Sequence, residues 1–144
     1  MATDPATSIP SVPRGSIFAV GVFLVFGTLA ATYAGLTLVF PGTILDRGWA
    51  LNPKAHQQML SMGRAMGIPF FLLAVALGLA AVGWFGDRLW AWRLTVSIIA
   101  VQLLGDLVNL TRGEFLAGSF GVLIASALLF YLFRRPIRSH FDGR

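Results

Sequence analysis

IFAVGVFLVFGTLAATYAGLTLVF, residues 17–40, runs for 24 residues without a charge and stops at Pro41-Gly42. At about 1.5 Å of rise per residue, a helix of this length covers the roughly 30 Å hydrocarbon core of a bilayer with some tilt. Three further stretches repeat the pattern. Residues 66–85 and 115–133 carry no charge, and residues 89–110 carry only Arg93 and Asp106. Gly86-Asp87-Arg88 and Thr111-Arg112-Gly113-Glu114 join the last three, and connections this short make sequential helices antiparallel neighbours. The expected fold is all-α, an integral membrane four-helix up-and-down bundle.

Composition agrees. Of 144 residues, 56% are hydrophobic and 12% are charged, and the mean hydropathy is +0.76. That charge content is about half the soluble norm, and a soluble domain this small needs polar residues to cover its surface. An ordinary soluble enzyme, a disordered chain and a coiled coil are excluded. With no cysteine, there is no disulfide, thiolate metal site or cysteine nucleophile. The net charge of +5 and pI near 11.1 would suit nucleic acid. However, four of the eleven basic residues fall in the last eleven positions and most others in short connections, the distribution of a topology signal. No nucleic-acid partner is expected.

The flanks complete the layout. Residues 1–16, with three prolines, read as a disordered tail. A cleavable signal peptide is the rival reading of the first apolar run, but its core should be only about 7–15 residues long, so a retained span is expected. Residues 41–65 form the long outer connection. There Asn52-Pro53 starts a helix as N-cap and first helical residue. This amphipathic helix, from about residue 53, interleaves His56, Gln57, Gln58 and Arg64 with Met59, Leu60, Met62 and Met66. If it runs unbroken into the second span, Pro69 is internal and kinks it. Residues 134–144, RRPIRSHFDGR, close the chain as a basic tail.

Four spans put both termini and the second connection on one side, with Arg14, Arg88, Arg93, Arg134, Arg135, Arg138 and Arg144. The other side holds Arg47, Lys54, Arg64 and Arg112. The positive-inside rule then places both termini in the cytoplasm of a multi-pass cell-membrane protein. Trp84, Trp90 and Trp92 mark one interface and Trp49 the other.

Small residues recur four apart: Gly27, Ala31 and Gly35 in the first span, Gly63 and Gly67 leading into the second, Gly121 and Ala125 in the fourth. Spacing of four makes one helical stripe, along which backbones approach closely. Packing within the bundle is the first reading and a dimer face the second.

The third span carries the candidate chemistry. Gln102, Asp106 and Asn109 follow i, i+4, i+7 on one face. Asp106 is the only carboxylate inside an expected span, where an ionised acid costs several kcal/mol unless paired, hydrated or neutralised. Arg64 is the nominated partner, with His56, Asn109 and Glu114 nearby on the outer side. A structural clasp between the second and third spans is one reading, and a ligand, proton or ion site is the other. Asp46, His56 and Ser61 do not make a triad signature. His56 and His140 fall on opposite sides and share no metal. No catalytic or nucleotide-binding motif is present, no catalytic or metal residue is nominated, and no cofactor is expected. Met66 is a weak haem ligand at best, and quinone or lipid binding leaves no sharp motif.

Phe40-Pro41 closing the first span, a glycine-containing second span, GDLVNLTRGE at residues 105–114 and FYLFRRPIRSHF at residues 130–141 together resemble the small uncharacterised four-helix membrane proteins of bacteria, DoxX-like in outline. The resemblance implies a bacterial inner-membrane location and carries over no functional residue. The expected function is that of an accessory or interaction component of the cell membrane, not an enzyme, with the lipid bilayer and a homo-oligomer or larger membrane complex as partners. One alternative is a small-solute or proton-coupled carrier or channel formed by oligomers, with Asp106 lining the path. The other is a membrane enzyme acting on a quinone or another lipid-soluble substrate.

Overall fold

A computed structural model describes residues 14–51, 53–113 and 115–142. Among them every regular element is helical and none is a strand. The helices are α1 (Arg14–Val39), α2 (Pro53–Ser61), α3 (Gly67–Phe85), α4 (Leu89–Thr111), α5 (Phe115–Leu132) and α6 (Arg135–Asp142), with 3-10 turns at Ile44–Leu51 and Arg64–Met66. Three helical stretches, Arg14–Val39, Arg64–Phe85 and Leu89–Thr111, are long and apolar enough to cross a membrane. The bent pair α5 and α6 supplies a fourth if it is counted as one span.

Several boundaries differ from those expected of the sequence, each for a local reason. α1 starts at Arg14, three residues ahead of the uncharged run; the rest of the expected tail, residues 1–13, lies outside the described residues. α2 does not run on into the second span. It closes with Met62 N–H donating to Met59 O and Gly63 N–H to Leu60 O, and Gly63 takes φ 89, a backbone that side chains with a Cβ rarely adopt. Pro69 therefore falls in the first turn of α3, where its missing N–H leaves no helical bond unmade, and no kink is required. Residues 135–142, expected as part of a tail, form α6. Ile137 and Phe141, four apart, share one face of this helix and are buried.

The chain gathers into two compact units, one of residues up to Gly21 and from Val82 onward, the other Val22–Ala81. In the second unit, α1 and α3 pack through their small residues. A Cβ on Gly35 would stand 3.1 Å from the Phe71 ring, one on Gly27 3.3 Å from Leu77, and one on Gly67 3.0 Å from Gly35 O. Ala31 and Ala74 are buried along the same stripes. Gly63 does not belong to this packing: its surroundings are open, and its role is the turn.

In the first unit two indoles tie helices together through backbone carbonyls. Trp84 Nε1 donates to Ile17 O at 2.8 Å, and Trp92 Nε1 donates to Leu132 O at 3.1 Å. Trp84 and Phe141, both 0% exposed, meet ring to ring at 4.7 Å, so α6 seats on the end of α3. His140 Nε2 lies 2.9 Å from Asp87 Oδ1 and fastens the other side of α6 to the α3–α4 turn.

Large apolar side chains face outward on every long helix: Phe26 and Leu29 on α1, Leu72 on α3, Val101 and Leu104 on α4, Leu116 and Phe120 on α5. The buried residues include six alanines, Ala31, Ala74, Ala80, Ala81, Ala91 and Ala125, beside larger groups such as Leu24, Leu38, Trp84 and Phe141. A water-soluble domain rarely exposes large apolar side chains over so much of its surface.

Candidate functional site

The face of α4 that meets α5 carries Thr95, Ile99 and Asp106, all buried. Thr95 satisfies its hydroxyl by donating to Ala91 O at 2.8 Å. Asp106 has no such local solution, because a carboxylate only accepts. It is 7% exposed. Gln102, one turn back, donates from Nε2 to Asp106 Oδ1 at 3.2 Å. Asp106 Oδ2 is buried without a hydrogen-bond partner. Within its unit, no described cation makes an ion pair with it.

The space around that carboxylate is made by α5. Gly118, Gly121 and Ala125 fall at i, i+3 and i+7, one helical face. A Cβ added at Gly121 would overlap the Asp106 carboxylate, and one at Gly118 would stand 3.0 Å from Asp106 O and 2.8 Å from Leu110 Cγ. The acid fits because these two residues have no side chains. The small-residue stripe of α5 and the buried acid of α4, read separately in the sequence, are two halves of one contact.

The other nominated residues distribute as follows. Gln102 reaches Asp106 while remaining exposed, and Asn109 is exposed on α4. Glu114 lies outside the described residues. Arg64 is exposed in the 3-10 turn of the second unit, and the hydrogen bond Asp106 receives comes from its own helix.

His56 heads a separate cluster in the second unit. Its ring stacks on Trp49 at 5.0 Å, nearly parallel. Trp49 Nε1 donates to Thr37 Oγ1 at 2.8 Å, and Thr37 in turn donates to Ala34 O at 2.8 Å. His56 Nε2 and Asp46 Oδ1 stand 3.8 Å apart, both buried and without hydrogen-bond partners, while Asp46 Oδ2 accepts from Gly42 N–H at 2.7 Å. Tyr33 donates its hydroxyl proton to Leu45 O. The α1–α2 connection is thus pinned to the end of α1 by its aromatic and acidic residues. Ser61 is not part of this cluster; its hydroxyl donates to Gln58 O. In the sequence Asp46 is weighed beside His56 only as part of a triad with Ser61, and Trp49 only as an interface anchor, because the 3-10 turn that brings both round has no strong sequence signature. Among the described residues no group of three or more His, Asp or Glu side chains converges as a metal site would require.

No protein-family model, curated protein or solved structure matches the chain.

Proposed function

We propose that the chain is a small integral membrane protein of four spans, an up-and-down bundle with both termini on the cytoplasmic side. In this reading it serves as an accessory or interaction component of a cell membrane, of the DoxX-like layout. The observation that carries this is the outward apolar surface: α1, α3, α4 and α5 each expose large aliphatic and aromatic side chains over their length. Their polar side chains are largely satisfied internally. Thr28, Thr32, Thr95 and Ser97 each donate to a carbonyl four residues back, which leaves the helix exteriors to lipid and to neighbouring helices.

The test uses the natural absence of cysteine. Single cysteines at Ala50, Arg88, Gly113 and Ser139 are reacted with a membrane-impermeant maleimide in sealed vesicles of known orientation. Labelling of positions 50 and 113 from one side, and of 88 and 139 from the other, is the expected outcome. Labelling of all four from one side, or release of the protein without detergent, overturns the reading. Co-purification with a larger complex then distinguishes an accessory subunit from a free-standing protein.

A second reading rests on Asp106 Oδ2, a buried acceptor with no donor. A proton- or cation-coupled carrier built from several copies would place such an acid along its path. Flux from purified protein in liposomes, abolished by Asp106→Asn with the helical fold intact, favours this reading. Absence of flux in the wild type removes it.

A further inference from the structure

One end of the first unit collects positive charge. The Trp84–Ile17, Trp92–Leu132, Trp84–Phe141 and His140–Asp87 contacts bring together the start of α1, the α3–α4 turn, the start of α4, the end of α5 and all of α6. Within about a turn of those contacts lie Arg14, Arg88, Arg93, Arg134, Arg135 and Arg138, all exposed. Two acids accompany them, Asp87, whose Oδ1 lies 2.9 Å from His140 Nε2, and Asp142 at the end of α6. At the far end of α4 the described cation is Arg112.

Where this charge sits relative to the apolar surface gives it a direction. α6 leaves α5 at a bend of 63°, so it lies across the end of the unit and does not prolong α5. Its inner face is Ile137 and Phe141, and its outer face shows Arg135, Arg138 and Ser139. At the bend the Arg134 guanidinium stands 5.4 Å over the Phe130 ring. Exposed Phe130, Phe133 and Trp90 complete the apolar margin. Guanidinium groups therefore begin at the level where the lipid-like surface stops. That is the depth of phosphate groups in a bilayer, and the planar guanidinium fork pairs with two phosphate oxygens at once. All six cations are arginine.

We propose that this end of the molecule is a docking surface for anionic phospholipid headgroups, with α6 as an interfacial helix that holds the arginines at phosphate level. The proposal rests on the membrane reading above. Its ligand is the phosphodiester of a bilayer lipid. A soluble phosphate would meet the same guanidinium groups but not the apolar margin beneath them.

The experiment is reconstitution of the full chain into nanodiscs of phosphatidylcholine with one-fifth phosphatidylglycerol, followed by a count of the lipids that stay with the protein after mild delipidation. Each of several surface arginines strengthens attraction to anionic lipid by about fivefold, so an overall enrichment of tenfold or more in retained phosphatidylglycerol is expected. Enrichment should fall to within about twofold in R134Q/R135Q/R138Q, fall in part in R88Q/R93Q, which leaves α6 untouched, and persist in R112Q. Inorganic phosphate at 50 mM, matched for ionic strength with chloride, should not displace the lipid. Equal retention of the two lipids by the wild type, equal loss in R112Q, or displacement by phosphate overturns the proposal. A chain that fails to enter discs of either composition overturns the membrane reading itself, so the two failures are distinct.

Discussion

At the scale of single residues, the Asp106–Gly121 contact makes the sharpest demand. A methyl group at position 121 would occupy the carboxylate's place, and overpacking of a close helix contact costs about 1–3 kcal/mol. Gly121→Ala should lower thermal stability in detergent by that amount. In an Asp106→Ala background the same substitution should be close to neutral, giving a coupling of at least about 1 kcal/mol in a double-mutant cycle. Additive effects would show that the two residues do not share a site. Gly105, next to Asp106 on α4, has no neighbour that a Cβ would meet. There Gly→Ala should raise stability by up to about 1 kcal/mol through helix propensity alone. Opposite signs from one substitution type on facing helices separate packing from propensity.

At the scale of elements, α6 is held by few groups. Phe141 is fully buried against Trp84, and truncating a buried phenylalanine to alanine typically costs about 3–5 kcal/mol. Phe141→Ala should therefore release α6 while the longer helices remain, seen as new protease cleavage near residues 134–136 with little change in helical circular dichroism. Unaltered protease resistance would mean that α6 is held by something other than this face. The break between α2 and α3 makes a second prediction. Gly63 sits at φ 89 and ψ 169, a region that only glycine adopts readily and that costs another residue about 1–3 kcal/mol, so Gly63→Ala should destabilise the α1–α3 connection. The expected signal is faster amide exchange in α2, with α4 and α5 unaffected.

At the scale of the whole molecule, the prediction is topological. The cysteine pattern proposed above should place the α1–α2 and α4–α5 connections on one side and the α3–α4 connection and α6 on the other. The all-helical fold and its long apolar helices were legible in the sequence. Uncharged runs of 19 to 24 residues report length and apolarity directly, and those two properties decide whether a helix can cross a bilayer. Small residues spaced by four marked where α1 and α3 approach. The helical register likewise put Gln102 and Asp106 on one face, because that register is local.

What tertiary structure decided were the partners across space. The sequence placed a buried acid on α4 but not the glycine niche on α5 that admits it, since helical rotation is set by packing and not by composition. It named Asp46 beside His56 but not the Trp49 stack or the Asp46–His56 approach without Ser61, which depend on a 3-10 turn without a strong signature. It read the final residues as a basic tail. Ile137 and Phe141 make a helix of them because the Trp84 ring provides a surface to fold against, and a segment of eight residues needs such a surface to be stable. Length, apolarity and local register are properties of the chain alone. Which face meets which neighbour depends on the packing of side chains far apart in sequence, and only the folded molecule contains that information.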